Sequence, residues 1–198
     1  MLTRITLVAL ALVAGPSLAQ APAARPPAED VVNVALDTEK GRIVIALDRG
    51  RAPLTAANFL RYVDSGKYDG EAFYRAMPYG KGGLIQGGIR SDARKLLPPV
   101  EHEPTSQTGL KNVAGAVSMA RLAPGTAQAD FFVLTTDIPA FDASPADPGF
   151  AVFGKVIEGM DVVRAILASP VSPTRGEGVM KGQLLEPAIR ITRASRLP

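Results

Sequence analysis

Apolar residues fall into short runs separated by turn residues, a pattern that predicts a mainly β protein. The first two runs, Val31–Thr38 and Arg42–Asp48, are rich in valine, isoleucine and leucine. Between them lies Glu39-Lys40-Gly41, in which the glycine is free to adopt a positive φ. Two such runs so close together predict an antiparallel hairpin.

Two segments show helical periodicity instead. In the first, Ala52–Gly66, Pro53 suits the first helical turn and Gly66 can close the last one. Its apolar residues recur on one helix face and are Ala56, Phe59, Leu60 and Val63. The second predicted helix covers Met160–Leu167. Both helices are expected to pack one face against a sheet.

The remaining apolar runs are short and alternate with turns. They are Phe73–Met77, Gly83–Gln86, Val113–Met119, Phe131–Thr135, Phe150–Val156 and a final strand at Ala188–Arg193. Many short strands with only two helices, no βαβ rhythm and no internal repeat predict a β-barrel or sandwich.

The N-terminus predicts export. Arg4 precedes an apolar run from Ile5 to Ala14, and Ser17-Leu18-Ala19 supplies small residues where a signal peptidase cleaves. An uncleaved anchor is the alternative, but the run is shorter than the roughly 20 residues that span a bilayer. We therefore assign residues 1–19 to a signal peptide, residues 20–30 to a Pro/Ala-rich disordered leader, and residues 31–198 to the folded domain.

The amino-acid composition limits which kinds of function and functional site are possible. With 198 residues, 46% of them hydrophobic, the chain can bury the core of one domain. A net charge of +3, without a Lys/Arg run interleaved with aromatic residues, argues against nucleic-acid binding. The lack of cysteine excludes disulfides, thiolate nucleophiles and most structural zinc sites.

Several site motifs can be tested and rejected. Gly80–Gly83 lacks the spacing of a phosphate-binding loop. Glu101-His102-Glu103 holds the only histidine, so a metal site and the histidine-dependent hydrolases are disfavoured, and His102 is expected in a surface loop. A carboxylate pair for glycoside hydrolysis stays open. Arg75 and Gln86 remain as the best candidates for chemistry.

At this point the sequence resembles the cyclophilin family of peptidyl-prolyl cis-trans isomerases, specifically its exported bacterial branch. The matching residues run from VALDTEKGRIVIALD to FYR and IQGG, then VAGAVSMAR, ADFFVLT and FAVFGKVIEGMDVV. The resemblance implies a closed eight-stranded antiparallel β-barrel capped by two α-helices. It also implies cofactor-independent, metal-free acceleration of X-Pro bond rotation.

The resemblance further implies which residues form the site. Arg75 is the catalytic arginine, whose guanidinium stabilises the twisted bond at the prolyl nitrogen, and Gln86 positions the substrate. The other substrate-binding residues that it implies are Leu84, Met119, Ala120, Arg121, Phe132, Phe141 and Phe150.

The chain departs from the family pattern around the predicted pocket. The connection between Arg75 and Gln86 is longer than usual, and Gly83 stands where a pocket phenylalanine is expected. Ala140 takes the place of a large aromatic residue on the rim. Tyr74 replaces a common histidine. We expect these changes to alter substrate range rather than reaction type.

The leading hypothesis is a monomeric periplasmic isomerase, or a secreted one, that acts on proline-containing segments of folding exported proteins without nucleic acid or stable membrane insertion. A cyclophilin-like binding module or holdase chaperone with weak isomerase activity is the alternative, motivated by Gly83 and Ala140. A barrel that encloses a small hydrophobic ligand is disfavoured, because small barrels are filled by their own side chains.

Overall fold

Eight strands close into an antiparallel barrel in the computed structural model, which describes residues 30–198. The strands are β1 (Val31–Thr38), β2 (Gly41–Asp48), β3 (Ala72–Tyr79), β4 (Gly82–Gly88), β5 (Ala116–Met119), β6 (Phe131–Leu134), β7 (Val152–Glu158) and β8 (Leu184–Arg196). Their order around the barrel is β1-β2-β7-β5-β6-β4-β3-β8. The predicted fold class is confirmed. The predicted signal peptide lies outside the described residues, as does the predicted leader apart from Asp30.

Both predicted helices are present, and a third, single-turn helix accompanies them. The helices are α1 (Pro53–Asp64), α2 (Thr105–Thr108) and α3 (Met160–Leu167). Three short 3₁₀ turns lie in the connections, at Ala93–Lys95, Pro139–Phe141 and Gly178–Met180. The sequence did not predict α2, because four residues are too few to show helical periodicity.

The last strand is longer than predicted and closes the barrel. The prediction placed it at Ala188–Arg193, whereas β8 runs from Leu184 to Arg196 and pairs with both β1 and β3. The ends of the strand could not be predicted from the pattern, because proline and charged residues are both depleted in central strands and this segment contains Pro187 and many charged residues. The extra residues at its start run beside the strand that carries Arg75.

Aromatic rings fill the barrel interior. Phe59 of α1 packs against Tyr68, Phe131 and Phe153, with ring centroids 5.1–5.2 Å apart. All four side chains are fully buried. Phe73 contacts Phe131 edge-on at 5.7 Å. The interior is therefore a packed core, which removes the ligand-filled barrel as an interpretation.

A buried carboxylate from a distant loop caps α1. The residue before the helix, Ala52, offers no side-chain cap. Instead the Glu103 carboxylate accepts hydrogen bonds from the backbone N–H groups of Leu54 and Thr55, at 3.1 and 2.7 Å, and from the Thr55 hydroxyl at 2.6 Å. A negative charge at a helix N-terminus also interacts favourably with the helix dipole. Glu103 is thus a structural residue that ties its loop to α1.

We predict that Glu103→Ala lowers the free energy of unfolding by about 2–4 kcal/mol, since it leaves the buried N–H and hydroxyl of Thr55, and the partly buried N–H of Leu54, without an acceptor. Chemical denaturation measures this change. Glu101→Ala, two residues away and exposed, is the matched control and should cost under about 0.5 kcal/mol. Equal stability of the two variants would contradict the capping role.

Candidate active site

A β-bulge in β3 brings Tyr74 and Arg75 to the same side of the barrel. Phe73 pairs with Gly87, but Arg75 pairs with Gln86, so the register shifts by one residue between them. Phe73 and Ala76 both point into the core. Regular alternation would turn Arg75 inward, and the extra residue of the bulge turns it outward instead.

The Arg75 guanidinium is held by two glutamines. Its Nη1 donates to Gln86 Oε1 at 2.9 Å, and its Nε donates to Gln183 Oε1 at 2.8 Å. Nη2 lies 3.4 Å from the sulfur of Met77. Burial lowers the pKa of Arg75 from its ordinary value. An arginine nevertheless stays protonated at physiological pH, so the site contains a fixed, partly desolvated cation.

The amide of Gln86 connects Arg75 to a second polar pair. Gln86 Nε2 donates to the Tyr74 hydroxyl at 2.6 Å, and that hydroxyl donates to Asp130 Oδ2 at 2.7 Å. Burial raises the pKa of Tyr74 well above its usual value, and the nearby Asp130 charge adds to that rise. A continuous chain of side-chain hydrogen bonds therefore runs from Asp130 to the guanidinium.

Beside this polar chain lies an apolar cluster on the outer face of the barrel. Phe132, Phe141 and Phe150 pack against one another with ring centroids 4.9–5.7 Å apart. Leu84 is buried in the same cluster, and Ala120 is partly buried against it. Phe141 and Phe150 are only partly buried, so the cluster presents an aromatic surface to an incoming group.

Strand pairing places the polar and apolar parts side by side. Gln86 of β4 pairs with Arg75 on one neighbouring strand and with Phe132 on the other. With adjacent strands about 4.8 Å apart, the backbones at Arg75 and Phe132 are roughly 10 Å apart. That span suits one proline ring and its preceding peptide bond.

Arg121 braces the loop that carries Phe150. Its Nε donates to the Gly149 carbonyl at 2.9 Å, and its Nη2 donates to Asp147 Oδ1 at 2.7 Å. The guanidinium carbon lies 5.2 Å from the centroid of the Phe150 ring. The Arg121 side chain is only 6% exposed. It therefore supports the aromatic wall rather than offering a free charge to substrate.

Met119 does not line the apolar cluster. Along β5, Ala116 packs in the outer cluster, whereas Val117 and Met119 pack in the barrel core. Met119 is 1% exposed. Because strand side chains alternate between faces, its odd spacing from Ala116 turns it inward. Contrary to the expectation that Met119 contacts substrate, its side chain therefore lies in the barrel core and not on the face that carries the apolar cluster.

The connection between Arg75 and Gln86 is a tight hairpin. β3 extends to Tyr79 and β4 starts at Gly82, so only Gly80 and Lys81 remain in the turn. Gly83 has a φ of 155°, and a Cβ there would overlap the Met77 carbonyl. The backbone thus requires a glycine at position 83, which leaves no side chain on that part of the rim. Ala140 is exposed in a 3₁₀ turn.

Sequence reasoning missed two residues of the site, Gln183 and Asp130. Gln183 lies immediately before β8, which pairs with β3 at Arg75 through Leu184. Asp130 lies immediately before β6. Only the position of Asp130 beside the predicted Phe131–Thr135 strand hinted at a role, and nothing in the sequence pointed to Gln183.

A cavity of about 400 Å³ borders the site at Tyr74 and is also lined by Arg90, Arg175 and Leu184 among others. A second, of about 720 Å³, lies against β2, β5 and β7. Among residues 30–198 we find no cluster of metal-ligating side chains. Within the same range, every helix is too short or too polar to cross a membrane.

Comparisons with known proteins identify the family of the chain. A family model described as cyclophilin type peptidyl-prolyl cis-trans isomerase/CLD matches residues 32–195. Peptidyl-prolyl cis-trans isomerase A of Dickeya dadantii is 41% identical over 138 residues, covering 68% of this chain and 70% of that protein. A peptidyl-prolyl cis-trans isomerase of Acinetobacter baylyi is 38% identical over 143 residues, covering 70% and 73%.

Solved structures show the same fold. A cyclophilin-type isomerase of Cryptosporidium parvum superposes with a TM-score of 0.68 at 22% identity, covering 85% of this chain and 98% of that one. The same protein crystallised in the presence of the dipeptide Ala-Pro superposes with a TM-score of 0.67 at 23% identity, covering 84% and 99%. The chain therefore belongs to the cyclophilin-type peptidyl-prolyl cis-trans isomerases.

Proposed function

We propose that this isomerase acts on exported proteins in the periplasm, and that its active site is the outer groove formed by β3, β4 and β6. In this proposal Arg75 is the catalytic residue. Leu84, Ala120, Phe132, Phe141 and Phe150 receive the proline, while Arg121 braces the Phe150 wall. The similarity to peptidyl-prolyl cis-trans isomerase A of Dickeya dadantii supports the isomerase activity in this proposal, and the N-terminal signal-peptide pattern supports the export.

The reaction breaks no covalent bond and consists of rotation about the peptide bond before proline. Amide resonance gives the peptide bond before proline a rotational barrier of about 18–20 kcal/mol, and rotation without a catalyst takes about 10–100 s. Twisting the bond removes the resonance and localises a lone pair on the prolyl nitrogen. A hydrogen bond to that nitrogen therefore stabilises the twisted state more than either planar state, which is the requirement for catalysis.

The observation that carries the proposal is the arrangement of the Arg75 donors. Its contacts with Gln86, Gln183 and Met77 occupy three of the five guanidinium N–H groups. The remaining two are available on Nη1 and Nη2. Since the guanidinium is already held on two sides, it needs little reorganisation to donate to a substrate.

The aromatic cluster supplies the complementary binding surface. A proline ring is apolar and cannot donate a hydrogen bond through its nitrogen. Packing it against Phe132, Phe141 and Phe150 removes apolar area and water from around the twisting bond. The Ala-Pro dipeptide used with the Cryptosporidium relative supports proline-containing peptides as the substrate class.

We predict that Arg75→Ala lowers kcat/KM for a proline peptide by about 10²–10³-fold, in line with the loss of one preorganised donor. A protease-coupled isomerisation assay on the residue 20–198 protein measures this. Arg193→Ala, an exposed arginine on β8, is the matched control and should match wild type. An Arg75→Ala rate equal to wild type would remove Arg75 from the mechanism.

We predict that Gln183→Ala lowers kcat about tenfold with little change in KM, because one hydrogen bond to a charged group is lost and the guanidinium gains freedom. NMR line-shape analysis of an exchanging proline peptide gives kcat and KM separately. Gln107→Ala, an exposed glutamine of α2, serves as the control. An unchanged kcat in Gln183→Ala would show that catalysis does not need the hydrogen bond between Arg75 and Gln183.

Export is tested by the N-terminus of the mature protein. We predict cleavage after Ala19, so that N-terminal sequencing of periplasmic protein begins at Gln20. Substituting Ala19 with a bulky residue should slow processing and leave precursor attached to the inner membrane. A periplasmic or cytoplasmic protein that still begins at Met1 would contradict the proposed export by a cleaved signal peptide.

A further inference from the structure

We propose that Asp130 and Tyr74 act as positioning residues that fix the orientation of the Gln86 side-chain amide, and through it the Arg75 guanidinium. This inference rests on the proposed function of Arg75. It adds two residues, neither of which touches the reacting bond, and it assigns a role to the tyrosine that departs from the family pattern.

A glutamine side-chain amide can be held in either of two orientations. Its oxygen only accepts hydrogen bonds and its nitrogen only donates them, and a half-turn of the side chain exchanges the two. The Arg75 guanidinium only donates, so it is held when Gln86 Oε1 faces it. The reversed amide would direct N–H groups at the cation and release it.

Tyr74 decides between these two orientations. With Oε1 turned to Arg75, the Gln86 nitrogen needs an acceptor on its other side, and the Tyr74 oxygen accepts at 2.6 Å. A tyrosine hydroxyl can also donate, however, and donation to Gln86 would favour the reversed amide. The direction of the tyrosine proton therefore determines which atom of Gln86 faces Arg75.

Asp130 sets the direction of that proton. A carboxylate can only accept hydrogen bonds, and Asp130 Oδ2 accepts the one that the Tyr74 hydroxyl donates at 2.7 Å. Burial raises the pKa of Asp130, while the bond from Tyr74 and the charge of Arg90 oppose this rise. Arg90 lies 4.7 Å from the centroid of the Tyr74 ring. The aspartate, tyrosine, glutamine and arginine thus have one mutually consistent set of hydrogen-bond directions.

The absence of a side chain at Gly88 leaves space for the Asp130 carboxylate. A Cβ at Gly88 would overlap Asp130 Oδ1, so only a glycine at this position leaves space for the carboxylate beside β4. Gly88 is the last residue of that strand, two positions after Gln86. The strand that carries the amide also accommodates the group that orients it.

Two conservative substitutions and their combination test the proposal. Asp130→Asn keeps the shape but adds a donor, and Tyr74→Phe keeps the ring but removes the hydroxyl. We expect each to lower kcat about tenfold with KM within about twofold of wild type. In the double variant we expect a kcat no lower than that of the less active single variant. Both substitutions interrupt the same series of hydrogen bonds, so their effects should not add.

Controls separate this role from a general loss of structure. Tyr79→Phe changes an exposed tyrosine on the same strand, and Asp161→Asn changes an exposed aspartate on α3. Both should keep wild-type kcat and KM. If Asp130→Asn proves too unstable to assay, Tyr74→Phe alone decides the question, because the phenylalanine retains the packing of the ring.

Each outcome bears on the inference. Wild-type kcat in Tyr74→Phe would overturn it, and so would effects that multiply fully in the double variant. If Arg75→Ala is inactive while both single variants are normal, only the positioning role fails. If Arg75→Ala is itself fully active, the proposed function fails as well, so the two failures can be told apart.

Discussion

The bulge at Tyr74 is the constraint on which the site depends. Phe73 and Ala76 must both face the core, and a strand without an extra residue cannot satisfy both and still direct Arg75 outward. The bulge resolves this conflict and places two consecutive polar side chains on one face. Phe73 belongs to the aromatic core around Phe131, so core packing fixes the register of the strand that carries Arg75.

The rigidity of the site follows from the filled barrel behind it. Within residues 30–198, β8 closes the barrel so that none of its strands has a free edge, and the packed rings of Phe59, Phe131 and Phe153 resist repacking. The outer groove is therefore built on strands rather than on mobile loops. Phe141 and Phe150 lie outside the strands, and Arg121 fastens the loop that carries Phe150 at Gly149 and Asp147.

The sequence predicted the parts of this molecule that depend on local pattern or on close resemblance. The barrel class, the α1 and α3 segments and the Arg75–Gln86 pair all came from apolar periodicity or matching motifs. Met119 shows the limit of motif matching, because which face of a strand a residue occupies depends on register, and a motif does not report register.

The residues that the sequence missed depend on distant parts of the chain. Gln183 reaches Arg75 across 108 positions, and its place depends on where β8 begins. Asp130 reaches Tyr74 across 56 positions. Gly83 was interpreted as a lost pocket residue, whereas the backbone there excludes any side chain. Such relations follow from strand pairing and close packing, and a single sequence does not specify them.

The central claim is that catalysis requires a guanidinium held in a fixed orientation, rather than only a positive charge beside the aromatic pocket. The rate constant kcat of Arg75→Lys, measured by NMR line shape, tests it most directly. Lysine keeps the charge but lacks the planar guanidinium. Only the guanidinium can be held by both glutamines and still direct free N–H groups at the substrate. The account predicts a kcat at least about a hundredfold below wild type. A kcat for Arg75→Lys within a few-fold of wild type would contradict it.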